Sequence, residues 1–208
     1  MRNRLHRIWR DNRGVAAIEF GLVLPVLVVL FIGCLEVTFK IWSTQKAEKL
    51  AVTLADVIAQ SQEVTVSDLQ SLVTSIDKIM EPFPFGNNGV VYISSVYLPQ
   101  PEDDEDDPGD PIVNWQYKKG AFSAVSRVGV ENGVADLPNG FSLAVRDNVI
   151  VAEVIYKYTP IAPGVMFDEA TIYRRAFFKP RLVPAPPQAA VGQGVIDLLR
   201  GMRVQRIV

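Results

Sequence analysis

The chain has 208 residues, 49% of them hydrophobic and 21% charged, enough for one modest core with an appendage. Its net charge of −2 excludes a chain-wide basic footprint for nucleic acid. One Cys and one His exclude an intrachain disulfide and a multi-ligand thiolate or imidazole metal centre, and no G-x-S-x-G motif accompanies the single His6 of the basic head.

The charge is unevenly spread. Residues 1–13 hold five arginines (Arg2, Arg4, Arg7, Arg10, Arg13) against Asp11, a local +4 that precedes a mildly acidic body. From Val15 to Phe39 the chain reads VAAIEFGLVLPVLVVLFIGCLEVTF, with no charge between Phe20 and Leu35. This is a candidate transmembrane helix, kinked at Pro25 because proline removes one backbone hydrogen bond. Arginines before the span and a mixed set after it (Glu36, Lys40, Lys46, Glu48, Lys49) predict a cytoplasmic N-terminus and an extracytoplasmic body. Phe31-Ile32-Gly33-Cys34 is close to a lipobox, so a second anchoring reading has Cys34 acylated; the helical pattern that continues past Cys34 weighs against it.

Glu19 is the most informative residue of the segment, because a carboxylate in lipid must be paired, neutralised or within reach of the interface. In isolation it snorkels toward headgroups or toward Arg13. In context, Arg13-Gly14-Val15-Ala16-Ala17-Ile18-Glu19-Phe20 is a basic leader, a glycine, four small or apolar residues, a glutamate and an aromatic, followed by a hydrophobic helix. This order resembles the prepilin-peptidase site of type IV pilin-like proteins, and the run GVAAIEFGLVLP resembles the TadE-like or TadF-like minor pseudopilins of tight-adherence (Tad, Flp-type) pilus systems. The resemblance covers about the first forty residues. It implies that a prepilin peptidase cuts between Gly14 and Val15, and that Glu19, followed by the motif-adjacent Phe20, pairs with the new α-amine of a neighbouring subunit. Two opposite charges at one membrane depth would compensate each other. It further implies an inner-membrane, single-pass protein without cofactor that performs no chemistry itself. Its partners would be other Tad pseudopilins, pilus-assembly membrane proteins and lipid, not nucleic acid, and its service adhesion and biofilm formation. The alternative is a lipid-anchored periplasmic binding or adaptor protein acylated at Cys34.

Beyond the span, Ile41, Leu50, Leu54, Val57 and Ile58 recur at helical spacing, predicting one helix from the membrane to about Ser61. Ser67-Asp68-Leu69-Gln70 fits a capping box. With Leu72, Val73, Ile76, Ile79 and Met80 as an apolar face and Pro82 as a stop, it predicts a second helix over roughly 67–81. The period then changes: Val90–Leu98, Ile112–Tyr117, Asn148–Thr159 and Thr171–Phe178 are rich in Val, Ile, Tyr and Phe, and Asn-Gly pairs at 88, 132 and 139 mark turns. The expected fold class is α+β: a long N-terminal helix, half transmembrane and half amphipathic, packed on a small, mainly antiparallel sheet in a pilin-like arrangement.

Glu102 to Asp110 puts seven acids in nine residues. That density predicts a solvated loop, with Asp103, Asp104, Asp106 and Asp107 as a weak candidate calcium site whose spacing fails the EF-hand pattern. Pro180, Pro184, Pro186 and Pro187 form a stiff connector to a tail, VIDLLRGMRVQRIV, that alternates apolar residues with arginines. The expected organisation is a leader over 1–14, a transmembrane helix over 15–39, an extracytoplasmic domain over 40–180, and a connector and tail over 181–208.

Overall fold

A computed structural model describes residues 14–61, 66–100, 109–164 and 167–180. The basic leader, Glu102–Asp107 of the acidic run, and the connector and tail from residue 181 onward lie outside the described residues. The elements run α1 (Val15–Gln60), α2 (Val66–Met80), β1 (Gly89–Tyr97), β2 (Ile112–Gly120), β3 (Asn148–Tyr158) and β4 (Ala170–Phe178), a long helix packed on a sheet and hence α+β.

The chain divides into two compact units, one of residues 1–41 with 159–169, the other of residues 42–158 with 170–208. Helix α1 runs through 46 residues and carries Pro25 inside it. Its first part belongs to the first unit, where every residue from Gly14 to Phe31 is exposed and full burial begins at Gly33 and Glu36.

In the second unit α1 buries Ala47, Ala51, Ala55 and Ala59 alongside Leu50, Leu54 and Ile58. Alanines at four-residue spacing fall on one face of a helix and keep that face low, so the backbone can approach its partner closely. Two residues expected on this stripe are not on it: Ile41 is 53% and Val57 38% exposed. At 100° per residue both lie about a quarter-turn or more from the centre of the buried face, and the unremarked alanines take their place. In α2, Leu69, Ile76 and Met80 are buried as the apolar face requires. The helix opens at Val66, so Ser67 is already inside it rather than ahead of it as a cap.

The sheet is antiparallel throughout, in the order β2-β1-β3-β4. A bulge between Ser95 and Val96 shifts the β1–β2 register, whereas β1–β3 and β3–β4 pair without interruption. Strands β1 and β3 are buried almost end to end, so they read as continuous Val/Ile runs instead of alternating ones. The reason is cover on both faces. One face, with Val91, Ile93, Val154 and Ile172, takes the helices: Arg174 of β4 lies 4.0 Å from Glu48 of α1, and Phe85, just after α2, stacks on Tyr156 at 6.1 Å between centroids. The other face, with Val96, Val113, Val149 and Val151, is covered by the irregular segment 121–147 through Val128, Ala135, Leu137, Phe141 and Leu143. Gly120, which ends β2 at φ 121°, permits the turn into that segment, since a Cβ there would collide with the Gly89 carbonyl.

Candidate membrane anchor and assembly site

The first unit holds the residues singled out from the sequence. An 18-residue apolar window of α1 is long enough to cross hydrocarbon, and none of it is buried within the chain. A core helix of a water-soluble protein would hide that surface against its own domain; this one leaves Ile18, Phe20, Leu22 and Phe31 at 59–78% exposure.

Gly14 stands at the start of the helix, exposed, with nothing within 4 Å of where a Cβ would be. Folding of this chain does not require a glycine there. Val15 and Glu19 are one helical turn apart on one face, about 6 Å along the axis. Glu19 and Phe20 are both exposed, and no hydrogen bond or ion pair among the described residues involves Glu19. The carboxylate is therefore not part of the fold of the described chain.

Cys34 is a free, exposed thiol midway along the continuous helix, and its carbonyl accepts a hydrogen bond from Thr38 Oγ1 at 2.8 Å. The helix runs on for another 26 residues after Cys34. Nothing in this geometry or in the comparisons below supports acylation at that position. The candidate calcium residues Asp103, Asp104, Asp106 and Asp107 lie outside the described residues; among those described, no three His, Cys, Asp or Glu side chains gather as a metal site.

Two buried carboxylates escaped the reading of the sequence. Glu36, 1% exposed, accepts a hydrogen bond from the backbone N–H of Ala162 at 2.6 Å. One turn further on, Lys40 places its ammonium 5.2 Å from the ring centroid of Phe167. Together they fasten the β3–β4 connection, residues 159–169, to α1. The available signal was position: Glu36 is the first charge after the apolar run and sits four residues before Lys40.

The second is Glu153, at the centre of β3 and 0% exposed. Its Oε1 accepts from the Arg127 backbone N–H at 2.9 Å and from the Tyr173 hydroxyl at 2.7 Å, and its Oε2 accepts from Ser126 Oγ. The Arg127 guanidinium lies 4.3 Å from the Tyr173 ring centroid, which places a cation over the same cluster. Burial, and then the hydrogen bond to Glu153, push the Tyr173 phenol well above its ordinary range. This cluster pins segment 121–147 to the sheet. A lone acid inside the strand VIVAEVIYKY was its signal in the sequence.

Against known proteins, residues 14–55 match the family model described as TadE-like protein. No curated protein and no solved structure matches the chain. The matched segment begins at the exposed Gly14, includes Glu19 and the exposed apolar run of α1 from Val15 to Phe31, and ends among the alanines that pack in the second unit. Over residues 14–55, by motif, by helix and by family match, this chain is similar to the TadE-like proteins.

Proposed function

We propose that this chain is a minor pseudopilin that takes part in the biogenesis of Tad (Flp-type) pili, and that it is matured by a prepilin peptidase cutting between Gly14 and Val15. Membership of the matched segment in the TadE-like family points to Tad pilus assembly. TadE-like pilus proteins are structural and assembly components, and this chain acts in the same way, as a peptidase substrate and a subunit rather than an enzyme. The observation that carries the finer reading is the pairing of two residues the fold does not need. Gly14 fills no tight space, and Glu19 has no partner among the described residues although it opens an apolar helix.

Cleavage at Gly14 would free an α-amine on Val15, one turn from Glu19. Within one helix the two charges lie about 6 Å apart in depth. Between neighbouring subunits shifted along the fibre axis, the amine of one chain meets the glutamate of the next, and desolvation in lipid makes that pairing far stronger than it would be in water. Residues 15–39 hold the unassembled subunit in the inner membrane, with the arginine-rich leader in the cytoplasm and residues 40–180 in the periplasm. The partners are the peptidase, other Tad pseudopilins and pilus-assembly membrane proteins.

Intact mass and N-terminal sequencing of the protein from native membranes test this. The expected product starts at Val15 and carries no lipid. Gly14→Glu blocks cleavage without loss of folded protein, and Glu19→Ala leaves cleavage intact while abolishing incorporation into assemblies. An uncut chain, or one starting at an acylated Cys34, refutes the proposal.

A further inference from the structure

We propose that the first part of the β3–β4 connection, residues 159–164, is a membrane-interface contact whose tip at Ile161 sits among the headgroups and upper acyl chains of the leaflet from which α1 emerges. The inference rests on the reading of α1 as a membrane span.

Position carries the argument. From Val15 to Leu35 the helix covers about 31 Å at 1.5 Å per residue, the thickness of a bilayer's hydrocarbon core. The edge of the hydrocarbon therefore falls at Glu36, within a turn of Gly33 where burial against the chain's own atoms begins. The connection is fastened at that level, by the Ala162 N–H on Glu36 (2.6 Å) and by Phe167 under Lys40 (5.2 Å), all within one compact unit.

Composition fits the location. Residues 159–167 read TPIAPGVMF, nine residues without charge. Pro160 is buried, while Ile161 is 62% exposed and Pro163 and Gly164 stand open beside it. A single exposed isoleucine on a protein in water means little. An exposed isoleucine in an uncharged loop, tied to a helix at the hydrocarbon edge, faces lipid instead. Pro160 and Pro163 fix φ on either side of Ile161, Gly164 takes φ 77°, and its N–H bonds the Phe167 carbonyl at 3.3 Å. Glu36 sits beneath the loop in the same desolvated layer, and the Ala162 amide supplies a hydrogen bond that water would give elsewhere.

The test uses the full chain with Cys34→Ser, carrying either Ile161→Cys or Val28→Cys labelled with an environment-sensitive fluorophore, in phosphatidylcholine vesicles containing some phosphatidylglycerol. Lipids spin-labelled near the headgroup are expected to quench position 161 several-fold more than lipids labelled near the acyl terminus, with the reverse order at position 28, and aqueous iodide is expected to quench 161 weakly. If position 28 is quenched by deep labels while 161 is quenched only by iodide, the loop lies in water and the inference fails with the span intact. If 161 emits as a buried dye that neither lipid labels nor iodide quench, it is covered by protein, a second copy included, and the inference fails. If neither position responds to lipid labels, the span itself is wrong and both readings fall.

Discussion

Glu153→Ala is the sharpest test of how the sheet's second face is held. The carboxylate is fully buried and receives three donors: the Arg127 N–H (2.9 Å), the Tyr173 hydroxyl (2.7 Å) and the Ser126 hydroxyl. Hydrogen bonds to a charged group are worth about 1.5–3 kcal/mol each, but their loss is not additive. The two hydroxyls can rotate toward other acceptors, and Ser126 Oγ keeps the bond it accepts from the Val128 N–H at 3.2 Å. The Arg127 amide has no such freedom. A net loss of about 3–5 kcal/mol is expected, in the range for stripping one partner from a buried charged cluster. At roughly 2–4 °C per kcal/mol for a chain of this size, Tm falls by about 6–20 °C. Glu153→Gln keeps an acceptor for the Arg127 N–H and costs less, about 1–2 kcal/mol. The assay is denaturant unfolding of the detergent-solubilised full chain, followed by the fluorescence of Trp115, which sits buried on β2. A companion cycle adds Tyr173→Phe to each background; the two losses should be coupled by about 1 kcal/mol or more, because the residues share a bond. A cost below about 1 kcal/mol for Glu153→Ala, with no coupling to Tyr173, would show that apolar cover alone holds segment 121–147 and would refute the account.

Further expectations concern single contacts and pH. Glu36→Ala removes the acceptor of the Ala162 N–H and should speed hydrogen exchange of that amide by roughly tenfold or more, corresponding to about 1–3 kcal/mol of lost docking; unchanged exchange would mean the carboxylate does not hold the loop. The Lys179 ammonium, 2.5 Å from the Asp147 carboxylate, holds that carboxyl below its ordinary range, chiefly through the hydrogen bond. A depressed folded-state value stabilises above the unfolded value and is lost as pH falls through the folded one, so Asp147→Asn should flatten acid denaturation below about pH 4. The pair is exposed, so its effect at neutral pH should stay under about 1 kcal/mol and shrink in high salt. Burial raises the phenols of Tyr117, Tyr156 and Tyr173. A raised folded-state value stabilises below the unfolded value and is lost as pH rises, so stability should drop above about pH 10, and absorbance titration should show these phenols ionising only with unfolding.

Local pattern made much of this protein legible. The uncharged run from Phe20 to Leu35 needs no partner to be read as a span, because its length is set by the bilayer and its helicity by the absence of water for the backbone. Val/Ile/Tyr-rich runs located all four strands within a few residues, and Pro82 stopped α2. The order Gly14, Val15, Glu19, Phe20 was readable as a motif because its residues lie within two helical turns.

What the sequence could not show are the relations between distant residues. Ile41 and Val57 passed as members of the packed stripe because hydrophobicity marks what can be buried, while the closeness of helix and sheet decides what is; small alanines won that face. Glu36 and Glu153 carry no local sign of their partners, which lie 126 residues away at Ala162 and 20 to 27 away at Tyr173, Arg127 and Ser126. Composition set the candidate membrane helix, the strands and the residues that stand free on the apolar surface, because each depends on near neighbours and solvent. Tertiary structure alone decided which carboxylates are buried and which connection is tied to the edge of the span, because a buried charge is tolerated only where the fold brings donors to it from elsewhere in the chain.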